Sequence, residues 1–194
     1  MNDRSLQIAG MVLFLGVVPA VMAIEKLDYT VETSVGEVEI RNYPAHTLAT
    51  MAVAEDFETA GNTGFRPLFT FITGRNNSGT DIAMTAPVLQ APAEAGWRVS
   101  FVMPSEYDRN SLPVPSDARI MIVRVPSERL AAIRYSGNWS RDRFEMFEAR
   151  LTQALAASDW QICGPARWAR YDPPFMPAFM RHNEVLMPVG KNCE

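Results

Sequence analysis

The segment Trp97-Arg98-Val99-Ser100-Phe101-Val102-Met103-Pro104 alternates apolar and polar side chains and then meets a proline. A period of two marks a strand with one buried face. Near the other end, Glu184-Val185-Leu186-Met187-Pro188-Val189 closes on the same Met-Pro pair. Working back from each copy uncovers the same order of elements. Before Trp97 lies a loop, Ala91 to Gly96, and before that a strand, Ile82 to Leu89. A turn over 75–80 separates that strand from a helix. Phe65, Leu68, Phe69 and Ile72 recur at i, i+3, i+4 and i+7, which puts them on one helical face. Pro67 suits only the first turn of a helix, so the spacing predicts a start near Thr63 or Gly64 and a close at Gly74. Asp56 to Thr63 reads as a polar break. Tyr29 to Val53 reads as two strands, with Gly36 at a turn and a bend at Asn42-Tyr43-Pro44.

The second half repeats this beyond a connector over 105–118. Ala118 to Val125 and Leu130 to Tyr135 are strands, and Gly137-Asn138 breaks the chain. Ser140 caps a helix whose buried stripe is Phe144, Phe147, Leu151 and Leu155, with Asp142 in the first turn. Trp160 to Tyr171 and Glu184 to Val189 are the last strands, joined by the Pro-rich loop Asp172 to Asn183. The fold class is therefore α+β. Two strand–strand–helix–strand–strand halves form an eight-stranded antiparallel barrel-like sheet with two main helices. A cleft between sheet and helix is the natural ligand position.

The 194 residues are 47% hydrophobic and 21% charged, with net charge −4, as in an ordinary globular chain. No basic stripe is present, which argues against a nucleic-acid partner. Residues 1–23 stand apart. Arg4 precedes the apolar run Ile8 to Val18, Pro19 breaks it, and Val21-Met22-Ala23 offers a cut site. This is a secretory signal layout, with an uncleaved anchor as the alternative. The mature domain then spans 24–194, periplasmic or secreted, with no membrane partner after cleavage and a monomeric state. Cys163 and Cys193 are the two thiols, and export invites a bridge between them. If Tyr171 faces Glu184 in the last hairpin, an antiparallel ladder carries Cys163 nearly opposite Cys193.

Five stretches resemble the SOUL/haem-binding family, in order, over about residues 28–190. They are Arg41-Asn42-Tyr43-Pro44-Ala45, Ala83-Met84-Thr85-Ala86-Pro87-Val88, Trp97 to Pro104, Arg134-Tyr135-Ser136-Gly137, and the closing Tyr171-Asp172-Pro173-Pro174-Phe175 with Arg181-His182-Asn183-Glu184-Val185. The resemblance implies an eight-stranded α+β domain and non-covalent binding of haem or another porphyrin. It does not imply one agreed iron ligand.

Haem needs an apolar slot, a basic partner for its propionates and sometimes an axial donor. Phe65, Phe69 and Ile72, backed by Met84, supply a slot, although most of such a stripe is core. Arg66 and Arg75 flank it as propionate partners or as solvated charges. His46 is the metal candidate, near a position where the resemblance suggests an axial donor, and His182 stands where relatives carry Arg. Met176 and Met180 lie beside Phe175 and Phe179 in the closing loop as thioether donors or as packing. Arg181 and Glu184 read as a mutual ion pair.

No Cys-x-x-Cys-His, His-Glu-x-x-His, Gly-x-Ser-x-Gly or phosphate-loop pattern occurs, so the chain is not read as an enzyme. The function expected is tetrapyrrole buffering, delivery or scavenging. The alternative is an effector-binding module that takes amphipathic cations on Glu184.

Overall fold

The computed structural model describes residues 24–193; the leader expected over 1–23 lies outside the described residues. In chain order the elements begin with β1 (Glu25–Lys26), β2 (Thr30–Val35), β3 (Val38–Tyr43), β4 (His46–Val53) and α1 (Phe57–Ile72). Next come β5 (Thr85–Ala86), β6 (Val88–Pro92), β7 (Trp97–Val102), β8 (Met121–Val125) and β9 (Glu128–Tyr135). The chain finishes with α2 (Arg141–Ala156), β10 (Gln161–Ile162), β11 (Arg167–Arg170), a 3-10 turn (Ala178–Met180) and β12 (Asn183–Gly190).

The main sheet runs β2-β3-β9-β12-β11-β6-β7-β4-β8, with β10 added to β12. The duplication is visible in that order. One half, β4-β7-β6, meets the other, β9-β12-β11, through the β6–β11 pairing, in which Ala169 faces Leu89. Each half lends its first strand to the other: β3 pairs with β9, and β8 pairs with β4. These eight strands are the expected ones, and every pairing in the main sheet is antiparallel.

Closure into a barrel does not occur. The β2–β3 hairpin adds a strand outside β3, β8 forms the opposite end, and those two ends do not pair. The expected two strands over Tyr29 to Val53 are three, because Gly36 and the Tyr43-Pro44 bend each end a strand.

Each helix covers its own half. α1 lies on β7 and β4, where Leu68, Phe71 and Ile72 meet Met51, Val99 and Phe101 in one apolar cluster. α2 lies on β9 and β12, with Phe144, Phe147, Leu151 and Leu155 against Ile133, Val185 and Met187. Ser140 accepts from the Arg143 N–H and caps α2 as read. α1, however, starts at Phe57 rather than near Thr63. The Asp56 carboxylate accepts the Thr59 N–H at 2.8 Å, and Phe57, Ala60, Gly61 and Gly64 are buried. Tertiary burial thus overrides a first half of weak helix formers. It also leaves Pro67 inside the helix, where it forgoes one backbone bond. Gly74, at φ +90°, reverses the chain just past Thr73 as expected.

The Cys163–Cys193 disulfide is present, its Cα atoms 5.1 Å apart. It does not follow from the expected register. Glu184 faces Ala169, not Tyr171, and the Cys163 N–H bonds the Pro188 carbonyl. The chain turns back after Gly190 and so returns Cys193 to Cys163.

Candidate functional site

Gly61, Phe65 and Phe69 are spaced four apart on α1 and form a ridge beside its core-facing stripe. That ridge is one wall of a cleft of about 230 Å³ that opens where the two halves join. Met84, Ala86 and Val88 form a second wall, while Trp139, Arg170 and the turn through Pro173 and Pro174 form the far side. The Phe65 and Phe69 rings stack with centroids 5.7 Å apart, and Phe101 braces Phe65 edge-on at 5.0 Å. Phe69 remains 44% exposed, because its ring faces the opening and not the core. Trp139 is pinned by its indole N–H, which donates to Asn183 Oδ1 at 2.8 Å.

Arg170 is the charged group of this apolar space. Strand alternation puts it on the same face as the core residue Trp168. It is only 9% exposed, and its Nε and Nη2 are buried without a hydrogen-bond partner. The guanidinium carbon stands 5.0 Å from the Trp168 ring and 5.2 Å from the Trp139 ring. Burial disfavours its charge and lowers its pKa from the usual guanidinium range to about 10, opposed in part by Tyr135. Its tip rests against Gly61, where an added Cβ would lie 2.7 Å from Nη1 and 2.8 Å from Nη2.

The opposite face of the sheet carries a separate polar cluster. Glu184 is 1% exposed and accepts from Arg41 Nη1 at 2.9 Å, Arg41 Nη2 at 3.1 Å and the Tyr171 hydroxyl at 2.8 Å. His182 Nε2 lies 2.8 Å from Glu184 Oε1, its ring stacked on Tyr171. Burial alone would raise the Glu184 pKa, but the His182 and Arg41 hydrogen bonds and the Arg41 charge outweigh it and hold it at about 2. The acid expected to receive an amphipathic cation is therefore already paired and points away from the cleft. The expected Arg181–Glu184 pair is not formed either. Arg181 donates to the Met176 and Pro174 carbonyls and fixes the closing loop instead.

The remaining sequence candidates fall in different places. Phe65, Phe69 and Met84 line the cleft, whereas Ile72 is buried in the α1 core. Arg66 and Arg75 are exposed and do not line it, because Arg66 lies on the solvent side of α1 and Arg75 in the turn beyond Gly74. Met176 and Met180 sit on the loop beyond Pro174 and do not line it, and Met180 is exposed. His46 is buried in a separate polar hollow with Lys26, Asp28, Asp108 and Arg124. Its Nδ1 lies 2.9 Å from the Pro44 carbonyl, Nε2 has no partner, and burial lowers its pKa. Among the described residues no group of three or more His, Cys, Asp or Glu side chains could hold a metal ion.

Sequence reading missed Arg170, Trp139 and Gly61. The signal for Arg170 was present: in Trp168-Ala169-Arg170 a period of two places an arginine on the buried face. Trp139 and Gly61 carry no such mark, because one lies in a break between elements and the other in the polar break over Asp56 to Thr63.

Comparison with known proteins agrees with this architecture. Heme-binding protein 1 of Xenopus laevis is 28% identical over 150 residues, covering 71% of this chain and 75% of that protein. Heme-binding protein 2 of Mus musculus is 32% identical over 105 residues, about half of each chain. Among solved structures, the EcmrR C-terminal domain superposes with a TM-score of 0.62 at 12% identity, covering 84% of this chain and 99% of that one. A hydrolase from Listeria innocua gives 0.55 at 12% identity over 79% of this chain and 92% of its own. At such identities these two show a shared fold alone. The description of the SOUL heme-binding protein family matches residues 24–188, and the chain belongs to that family.

Proposed function

We propose that this protein binds haem or a related tetrapyrrole reversibly and non-covalently in the cleft beside α1, as a monomer in an exported compartment, and performs no chemistry on it. The observation that carries the reading is the cleft itself. Phe65, Phe69, Met84 and Trp139 offer a flat apolar ligand aromatic and thioether surface that needs no hydrogen bonds, beside one buried cation. The names of the two relatives, heme-binding protein 1 and 2, support the ligand class. Both cysteines are joined to each other, which supports non-covalent attachment, and a disulfide suits an oxidising compartment. The apolar run before residue 24 supports export in the same sense.

No histidine or cysteine lines the cleft among the described residues, so Met84 is its one soft iron donor. Haemin titrated into the mature chain should give a shifted, saturable Soret band near one equivalent. Metal-free protoporphyrin should bind comparably. Phe65→Ala with Phe69→Ala should weaken both, and His46→Ala should leave the spectrum unchanged. A flat titration overturns the proposal.

A further inference from the structure

Arg170 is a buried cation without an anion. No ion pair reaches it among the described residues. The topology accounts for this. Glu184 sits on the neighbouring strand opposite Ala169, so alternation turns it to the other face of the sheet, where Arg41 neutralises it. Asp172, the acid at the cleft, accepts from the His182 backbone N–H. The Trp139 and Trp168 rings offset part of the desolvation of the guanidinium, but they leave Nε and Nη2 without acceptors, and Gln90 Oε1, at the same Gly61 surface, makes no hydrogen bond to them. A buried, charged donor without an acceptor is costly unless the missing group arrives with a ligand. The place for that group is defined. Gly61 leaves α1 bare where the guanidinium tip approaches, and both residues line the cleft. Arg181 lies behind the same wall, 4.6 Å from the Trp139 ring.

We infer that Arg170 is the carboxylate receptor of the cleft, so that the ligand class is a flat apolar molecule bearing at least one carboxylate. This rests on the tetrapyrrole reading and sharpens it, because it selects porphyrins with free acid side chains over neutral or esterified ones. A guanidinium meets a carboxylate through two parallel N–H bonds, and a methyl ester cannot accept that charge-assisted pair.

The test compares protoporphyrin with its dimethyl ester, by absorbance and by tryptophan quenching, on the wild-type chain and three variants. The wild type should bind the diacid about tenfold or more tightly than the diester. Arg170→Met should lose that preference by weakening the diacid alone. Gly61→Ala should do the same with Arg170 still present, since its Cβ displaces the guanidinium while alanine favours the helix. Arg66→Met, an exposed arginine outside the cleft, should change nothing. Equal wild-type affinities for the two porphyrins, or an undiminished diacid preference in Arg170→Met, overturn the inference and leave the tetrapyrrole reading standing. Failure of the wild type to bind either porphyrin sinks that reading and this inference with it. If Arg170→Met fails to fold by circular dichroism, the wild-type ratio and Gly61→Ala decide.

Discussion

Glu184 holds together three parts of the chain: Arg41 from β3, Tyr171 at the end of β11, and His182 from the closing loop. A buried pair of this kind contributes less than its Coulomb attraction suggests, because both charges gave up water. Breaking it is another matter, since Arg41 is then left buried with only the partly exposed Glu39 carboxylate, 2.8 Å from its Nε, as counter-charge. Glu184→Gln should cost roughly 3–5 kcal/mol in urea unfolding at neutral pH. The pH dependence follows from the depressed pKa, about 2 against an ordinary 4.5. Between those values the unfolded chain binds the proton that the folded chain refuses. The contribution is therefore complete above about pH 4.5 and is lost as pH falls toward 2, on the order of 3 kcal/mol in all. Wild-type stability should drop across that acid window, and Glu184→Gln should flatten the drop. A wild type equally stable at both ends would contradict this account of the cluster.

At the scale of elements, α1 decides the shape of the cleft by how closely it sits on β7. Gly64 permits that approach: a Cβ there would lie 2.6 Å from Val99 Cβ and Cγ2. Alanine gains up to about 1 kcal/mol in helix propensity over glycine. Overpacking against a branched side chain on a strand costs more, typically 1–3 kcal/mol. Gly64→Ala should therefore lower the midpoint of thermal unfolding, and a raised midpoint would show that α1 can lift away without loss. The two helices also differ in how far the sequence announced them. α2 has a serine cap and a regular stripe, and Ser140, Phe144, Phe147, Leu151 and Leu155 lie as read. α1 contains glycines, threonines, an asparagine and Pro67, so local propensity pointed to loop over residues that sheet packing holds helical.

Across the whole molecule, the disulfide ties the tail after β12 back to β10 and closes a loop between residues 30 apart in sequence. Chain-entropy arguments give roughly 3–4 kcal/mol for a loop of that length. Cys163→Ser with Cys193→Ser should lower stability by about that much in denaturant melts, as should reductant on the wild type. Porphyrin affinity should persist, because neither cysteine lines the cleft. A bridge whose loss also abolished binding would mean that the tail supports the α1 side of the molecule, which these pairings do not connect.

Chemical pattern along the chain determined the α+β class, the duplication, α2, the thiol pair and the aromatic ridge of Phe65 and Phe69, since periodicity and motif spacing are local properties of a one-dimensional string. Only the tertiary structure decided that the sheet stays open, that the halves trade β3 and β8, and that Arg41, not Arg181, neutralises Glu184. It also decided that Arg170 is stranded beside an apolar cleft while His46 lies elsewhere. These depend on which strands become neighbours and which face each side chain takes, and residues as far apart as Gly61 and Arg170 meet only after the sheet has formed.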